Sequence, residues 1–294
     1  MINSCTLRIR LASLALTLLC LIFTANAQGV REPANKPEPW TRPYPAFRIA
    51  GNLYYVGTYD LACYLLKSDQ GLILINTGVA GSDSTIKRNI ESLGFNFKDI
   101  RILLTTQAHY DHVGAMAAIQ QATGAKVIAN AAEASAMKDG GKSDYEMGGK
   151  NSAFVPLRVD AVLQHGDSIR LGNTALQMLH HPGHTKGSCS YLVNVKDSAR
   201  SYRVLIANMP TIISDRKFSE ITAYPEIEKD FANTLSAMTQ IQFDLWLASH
   251  ASQFDLHKLR KPGAAYNPAI FARRDAYVQA LSDLKAAFDK KRVQ

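Results

Sequence analysis

The chain has 294 residues, 47% of them hydrophobic and 20% charged, with a formal net charge of +8. That length can bury a large core, and the apolar fraction excludes a disordered or collagen-like chain. The basic residues are dispersed, with no run of five or six and no interleaved aromatics, so they read as a solvated surface and not as a nucleic-acid footprint.

Residues 1–27 read as a Sec-type signal peptide. Arg8 and Arg10 precede an almost unbroken apolar run over 11–23, and Ala25-Asn26-Ala27 supplies small residues for cleavage. The run is shorter than the ~20 residues of a membrane span. Leu18-Leu19 before Cys20 are too bulky for lipoprotein processing. The expected mature chain is one domain over 28–294, exported and free of the membrane. Loss of two arginines lowers its net charge to +6. It keeps Cys63 and Cys189, too few for a disulfide scaffold; both sit in or beside apolar strand-like runs and are expected as buried free thiols.

Residues 28–45 carry five prolines and form a lead-in arm rather than an element. Apolar runs then predict strands over 47–58, 63–67 and 72–76, a helix over 84–93 and a strand over 100–105. A helix over 115–122, a strand over 126–129 and a helix over 131–138 follow. The Gly-rich polar stretch 139–151 is a long loop. Strands over 161–163, 168–171, 174–179, 190–195 and 202–207 lead to a helix over 227–241, a strand over 244–248 and a closing helix over 267–290. Strands then helix, twice over, predict an α/β or α+β chain of two similar halves.

Three segments carry chemistry. Gln107-Ala108-His109-Tyr110-Asp111-His112 lies between a strand and a helix, and three nitrogen and carboxylate donors within four residues suit zinc. In His181-Pro182-Gly183-His184-Thr185, Pro and Gly turn the chain to present His184. His250 stands just past a strand in Ala248-Ser249-His250. His165, His180, His181 and His257 lack such settings and read as structural or exposed. Ser-x-x-Lys occurs at Ser84/Lys87 and Ser135/Lys138, without the S-D-N and K-T-G partners that would make it a serine-nucleophile motif, so both are chance matches.

At these residues the chain resembles the metallo-β-lactamase superfamily, whose signature is H-x-H-x-D-H, then G-H-T-x-G-S, then a late histidine. Gln107-x-His109-x-Asp111-His112, Gly183-His184-Thr185-Lys186-Gly187-Ser188 and His250 match it. Gln107 in place of the first histidine resembles the GOB-type branch of the third subclass of class B β-lactamases. So do the segment from Gly141 to Gly148, the run Ile206-Ala207-Asn208-Met209-Pro210 and the run from Ser249 to His257.

The resemblance implies a four-layer αβ/βα sandwich and one or two zinc ions. Gln107, His109 and His184 would form one site; Asp111, His112 and His250 would form the other. A zinc-bound hydroxide, oriented by Asp111, would open the β-lactam ring of penicillins, cephalosporins and carbapenems in the periplasm. Such an enzyme would confer antibiotic resistance. Lys142, Ser143 and Thr211 are candidates for holding the substrate carboxylate, and the chain is expected to act as a monomer. Charge and ligand softness favour the Asp111 site as the tighter one.

Two departures bear on the alternatives. Asn208 and Met209 stand where glyoxalase-like hydrolases carry a bridging aspartate, which argues against a lactone or thioester hydrolase. Asn76 replaces a usual aspartate and so removes an expected anchor for a ligand histidine. Together with Gln107, that change makes a non-catalytic zinc-binding protein the other alternative.

Overall fold

The computed structural model describes residues 30–198 and 200–294, so the expected leader over 1–27, with Cys5 and Cys20, lies outside the described residues. Seven strands form a first sheet in chain order: β1 (Phe47–Ala50), β2 (Leu53–Tyr55), β3 (Tyr64–Ser68), β4 (Gly71–Ile75), β5 (Ile100–Leu104), β6 (Lys126–Asn130) and β7 (Ala161–Leu163). Pairing is antiparallel as far as β4 and parallel from β4 to β7. The second sheet has the order β12-β11-β10-β9-β8. Its strands are β8 (Ser168–Leu171), β9 (Thr174–His180), β10 (Cys189–Lys196), β11 (Ser201–Ala207) and β12 (Leu245–Ala248). Only β11 and β12 pair in parallel. Parallel neighbours need crossovers, and helices α2 (Ser82–Ser92), α4 (Met116–Thr123) and α6 (Ile227–Thr239) provide them.

Strand alternation assigns the layers. Leu66, Ile73, Ile75, Ile102 and Leu104 join Leu176, Met178, Tyr191 and Val193 in the core between the sheets. Leu65, Leu72, Leu74 and Leu103 point the other way, onto Ile86 and Ile90 of α2 and Met116 and Ile119 of α4. On the far side, α6 and α8 (Arg274–Arg292) cover the second sheet with Phe231, Leu235, Met238, Tyr277 and Leu281. Each fully buried Leu or Ile contributes about 1.5–3 kcal/mol. A one-residue slip would reverse both faces. The result is the expected helix–sheet–sheet–helix sandwich.

The departures from expectation are local. The run 47–58 breaks into two strands at Gly51, whose φ is 53° and where a Cβ would lie only 2.8 Å from the Lys196 backbone. The closing helix starts at Arg274 and not at 267, because the Asn267 side chain accepts from Ala269 N and winds Pro268–Phe271 into a separate 3-10 turn. The arm contains a short helix, α1 (Glu38–Thr41). The stretch read as a loop after β5 contains one turn, α3 (Tyr110–Val113). Helix α5 (Ala134–Asp139) starts three residues later than expected, and α7 (Leu256–Leu259) was not foreseen.

Cys63 and Cys189 are buried and unpaired, and burial pushes the Cys189 thiol up to about 12. Both Ser-x-x-Lys pairs are exposed on α2 and α5. None of the helices among the described residues is long and apolar enough to cross a membrane.

The two sheets are laced together at one end. Tyr64 Oη donates to Ala248 O at 2.6 Å, Ala62 N to Ser249 O at 3.1 Å and Cys189 N to Thr106 O at 2.8 Å. The C-terminal ends of β5, β9, β11 and β12 therefore open onto one rim, where all three chemistry-bearing segments emerge.

Candidate metal centre

The segment after β5 is fixed from below. Asn76 ends β4 in a left-handed conformation, φ 61°, which asparagine tolerates. Its Oδ1 accepts from Thr106 N at 2.9 Å and from the Thr105 and Thr106 hydroxyls at 3.2 Å. Asn76 thus holds the backbone that enters the motif rather than a ligand histidine. Thr77 N donates to His112 O at 2.7 Å, which secures α3. Glu133, buried before α5, accepts from Ala108 N at 2.9 Å and from the Thr185 hydroxyl, and so ties the first segment to the second. Gly183, at φ 130°, lies where a Cβ would press to 2.9 Å on the Phe231 ring, and the turn it allows presents His184.

Asp111, His112 and His250 offer three ligand atoms within 4.8 Å of one another. Asp111 Oδ2 is 3.2 Å from His112 Nε2 and 3.4 Å from His250 Nε2. Tetrahedral zinc with ~2.0–2.1 Å bonds spaces its ligands about 3.3 Å apart, so the set fits that ion. His112 Nε2 is fully buried and makes no aligned hydrogen bond, and a cation there resolves that orphan. Burial opposes ionisation of Asp111, but His112 and His250 outweigh it and hold the carboxyl well below its usual range. The carboxylate donor is an anion. His250 Nδ1 lies 3.1 Å from Asp60 Oδ2, which turns Nε2 toward the centre. Despite burial, the hydrogen bonds from His250 and Ser252 lower Asp60 to about 2.

The second group has no carboxylate among its donors. The rings of His109 and His184 lie 5.0 Å apart. His184 Nδ1 donates to Thr211 O at 2.8 Å, which leaves Nε2 with the lone pair; burial lowers its pKa to about 3 and keeps it neutral. His109 Nε2 bonds Asp144 Oδ2 at 3.2 Å. Against the effect of burial, that bond and the Met147 and Glu146 amides hold Asp144 at about 2. Gln107 Nε2 sits 3.3 Å from His109 Nδ1, and Gln107 Oε1 accepts from Asn208 Nδ2 at 2.9 Å.

All six predicted donors line one cavity of about 180 Å³, walled by Trp40, Met147, Met209 and Ile213. Thr211 lines it as well. Lys142 and Ser143 do not; they lie in the loop after α5, where Ser143 N donates to Asp139 Oδ2 at 3.0 Å. The other four histidines lie outside: His181 on Ser190 Oγ at 2.8 Å, His257 stacked on Tyr59, and His165 and His180 joined by a 3.2 Å bond.

Sequence reading missed Trp40, Asp60, Glu133, Asp144 and Gln253 as parts of this site. Trp40 comes from the arm and packs 5.7 Å from the His250 ring, and Asp60 is 190 residues from the histidine it holds. Neither has a local signal. Asp144 lay in a segment already noted, and a lone acid in a Gly-rich loop was the available clue.

Comparison with known proteins agrees with this geometry. Residues 57–197 match the metallo-beta-lactamase superfamily domain. The structure superposes on the metallo-beta-lactamase GOB-18 of Elizabethkingia meningoseptica with a TM-score of 0.89 and 56% identity, covering 90% of this chain and 98% of that one. The class B3 di-zinc enzyme LRA-12 from an Alaskan soil metagenome gives 0.88 and 56%, covering 89% and 99%. Among curated relatives, a hydroxyacylglutathione hydrolase of Bradyrhizobium sp. is 30% identical over 141 residues, 45% of this chain and 47% of that protein. The chain thus spans about half the length of the curated relatives it matches first. Matched over nearly the full length of solved B3 enzymes, the chain belongs to the metallo-β-lactamase superfamily.

Proposed function

We propose that the chain is an exported zinc-dependent hydrolase that opens the β-lactam ring of penicillins, cephalosporins and carbapenems. The observation that carries the reading is the convergence of Asp111, His112 and His250 with Gln107, His109 and His184 on one cavity. Its likeness to B3 enzymes at 56% identity supports the substrate class. The apolar run over 11–23 and Ala25-Asn26-Ala27 support a leader over 1–27, with the mature domain, 28–294, in the periplasm. All six donors come from one chain, so a monomer suffices. In an antibiotic-exposed cell the activity would confer resistance.

Zinc, when bound, supplies Lewis-acid polarisation of the carbonyl and lowers the pKa of water to about 7. The remaining work belongs to side chains. Asp111, held ionised, accepts a hydrogen bond from the attacking water and orients it. Trp40, Met147 and Ile213 wall the cavity and exclude bulk water around the reacting amide. The lining residues include neither lysine nor arginine, so a substrate carboxylate is met by neutral donors, Thr211 and Gln253. At about 180 Å³ the cavity takes the reacting bicycle, while the substrate's side groups lie beyond the rim.

Hydrolysis of a chromogenic cephalosporin tests the reading. Chelation is expected to abolish turnover, zinc to restore it, and serine-directed acylating inhibitors to have no effect. Turnover of lactones or thioesters without β-lactams would establish the other hydrolase class. Tight zinc without any turnover would establish a binding protein.

A further inference from the structure

Asn208 follows β11 and is buried between the sheets, its backbone N donating to Ser190 Oγ at 3.0 Å. Its Nδ2 lies 2.9 Å from Thr106 O and 2.9 Å from Gln107 Oε1. A carbonyl only accepts, so the Asn208 atom facing Thr106 is the NH2 and can only donate to Gln107. The Thr106 carbonyl is itself fixed, because it also accepts from Cys189 N. Gln107 must therefore turn its oxygen to Asn208 and its NH2 to His109 Nδ1, 3.3 Å away. On the other side of that ring Asp144 also only accepts, so Nε2 carries a hydrogen, and Nδ1, faced by the Gln107 NH2, is left as the acceptor.

From Asn208, fixed by the Thr106 carbonyl, each group donates to the next through Gln107 and His109 to Asp144. This order has one consequence for metal binding: the His109 lone pair is engaged by the Gln107 NH2, and the Gln107 oxygen faces away from it. We infer that Asn208 is a positioning residue that locks the Gln107 amide with its nitrogen toward His109, so that an ion joins Gln107, His109 and His184 only when the amide turns over and gives up its bond to Asn208. The inference rests on the reading of those three residues as a metal site, and it adds orientation to ligand softness as a reason to expect weaker loading there.

The test is zinc affinity, measured by native mass spectrometry across a zinc titration of wild type, Asn208→Leu and Asn208→Ala. Removing the Asn208 donor frees the amide, and the second ion is expected to bind about tenfold more tightly, the worth of one neutral hydrogen bond. The first ion is expected to bind as before. A second-ion affinity that is unchanged or weaker in either folded variant overturns the inference while leaving the site itself standing. If wild type and variants all stop at one ion, the inference falls together with the reading of that site. Should both variants fail to fold, crystal structures of wild type without zinc and with two equivalents decide. The 2.9 Å Asn208–Gln107 contact is expected in the first and lost in the second, and its survival beside two bound ions overturns the inference.

Discussion

The two halves of the site share a rim but are built to different specifications. At the Asp111 end, a carboxylate and two imidazoles stand within 4.8 Å of one another, and one imidazole nitrogen is buried without a hydrogen bond. At the Gln107 end, two imidazoles are joined by a neutral amide already engaged with Asn208 and His109. One end keeps a buried nitrogen without a hydrogen bond; the other has satisfied itself with internal hydrogen bonds. Buried polar groups that satisfy one another make a poorer site than those left waiting.

Substitution of the ligands breaks the comparison most forcefully. Asp111→Ala removes the anionic donor and the group proposed to orient water, and is expected to lower zinc content and turnover by more than about a hundredfold, beyond the range typical for outer partners. Gln107→Ala is expected to cost far less, and Gln107→His to tighten the second ion. Zinc content and rate at limiting metal, measured for each, check this. Equal losses in Asp111→Ala and Gln107→Ala would erase the distinction between the ends.

The supporting carboxylates give a sharper, smaller contrast. Asp60 holds His250 and Asp144 holds His109. Replacing such a partner costs about 10–100-fold in metal affinity. Asp60→Ala is expected to weaken the first zinc and Asp144→Ala only the second, read by competition with a zinc-responsive dye. A first ion weakened equally by both changes would show that the ends are coupled.

What the sequence made legible follows from what is local. The donors cluster within short segments and apolar runs such as Leu72–Ile75 mark their strands, so the motif and most elements could be read directly, while the layers came with the resemblance. The supports could not. Asp60, Glu133 and Asn208 act on residues 25 to 190 positions away, and only folding shows which carbonyl faces which amide. Asn76 is the clearest case: read as a missing anchor for a histidine, it proves to be the acceptor for three groups of Thr105 and Thr106. The late start of α8 turned on one Asn267 side chain.

The smallest expected effect on zinc, none at all, separates a structural neighbour from the candidate ligand histidines. His181 shares the turn with His184 but is buried on Ser190, and burial lowers its pKa to about 3. Between pH 6.5 and 3 the unfolded chain takes up a proton at this residue that the folded chain refuses. Its contribution to stability is therefore lost as pH falls through that window, at up to ~1.4 kcal/mol per pH unit. His181→Gln is expected to flatten the acid limb of urea midpoints against pH and leave zinc content unchanged. A steeper limb, or lost zinc, would contradict this.

The central claim is that the two ends differ in their hold on metal. Anomalous diffraction at the zinc edge, from crystals loaded with a single equivalent of zinc, tests it most directly. The account predicts one peak, between Asp111, His112 and His250, with nothing beside His109 and His184. A peak at the Gln107 end, or equal occupancy of both, would contradict it.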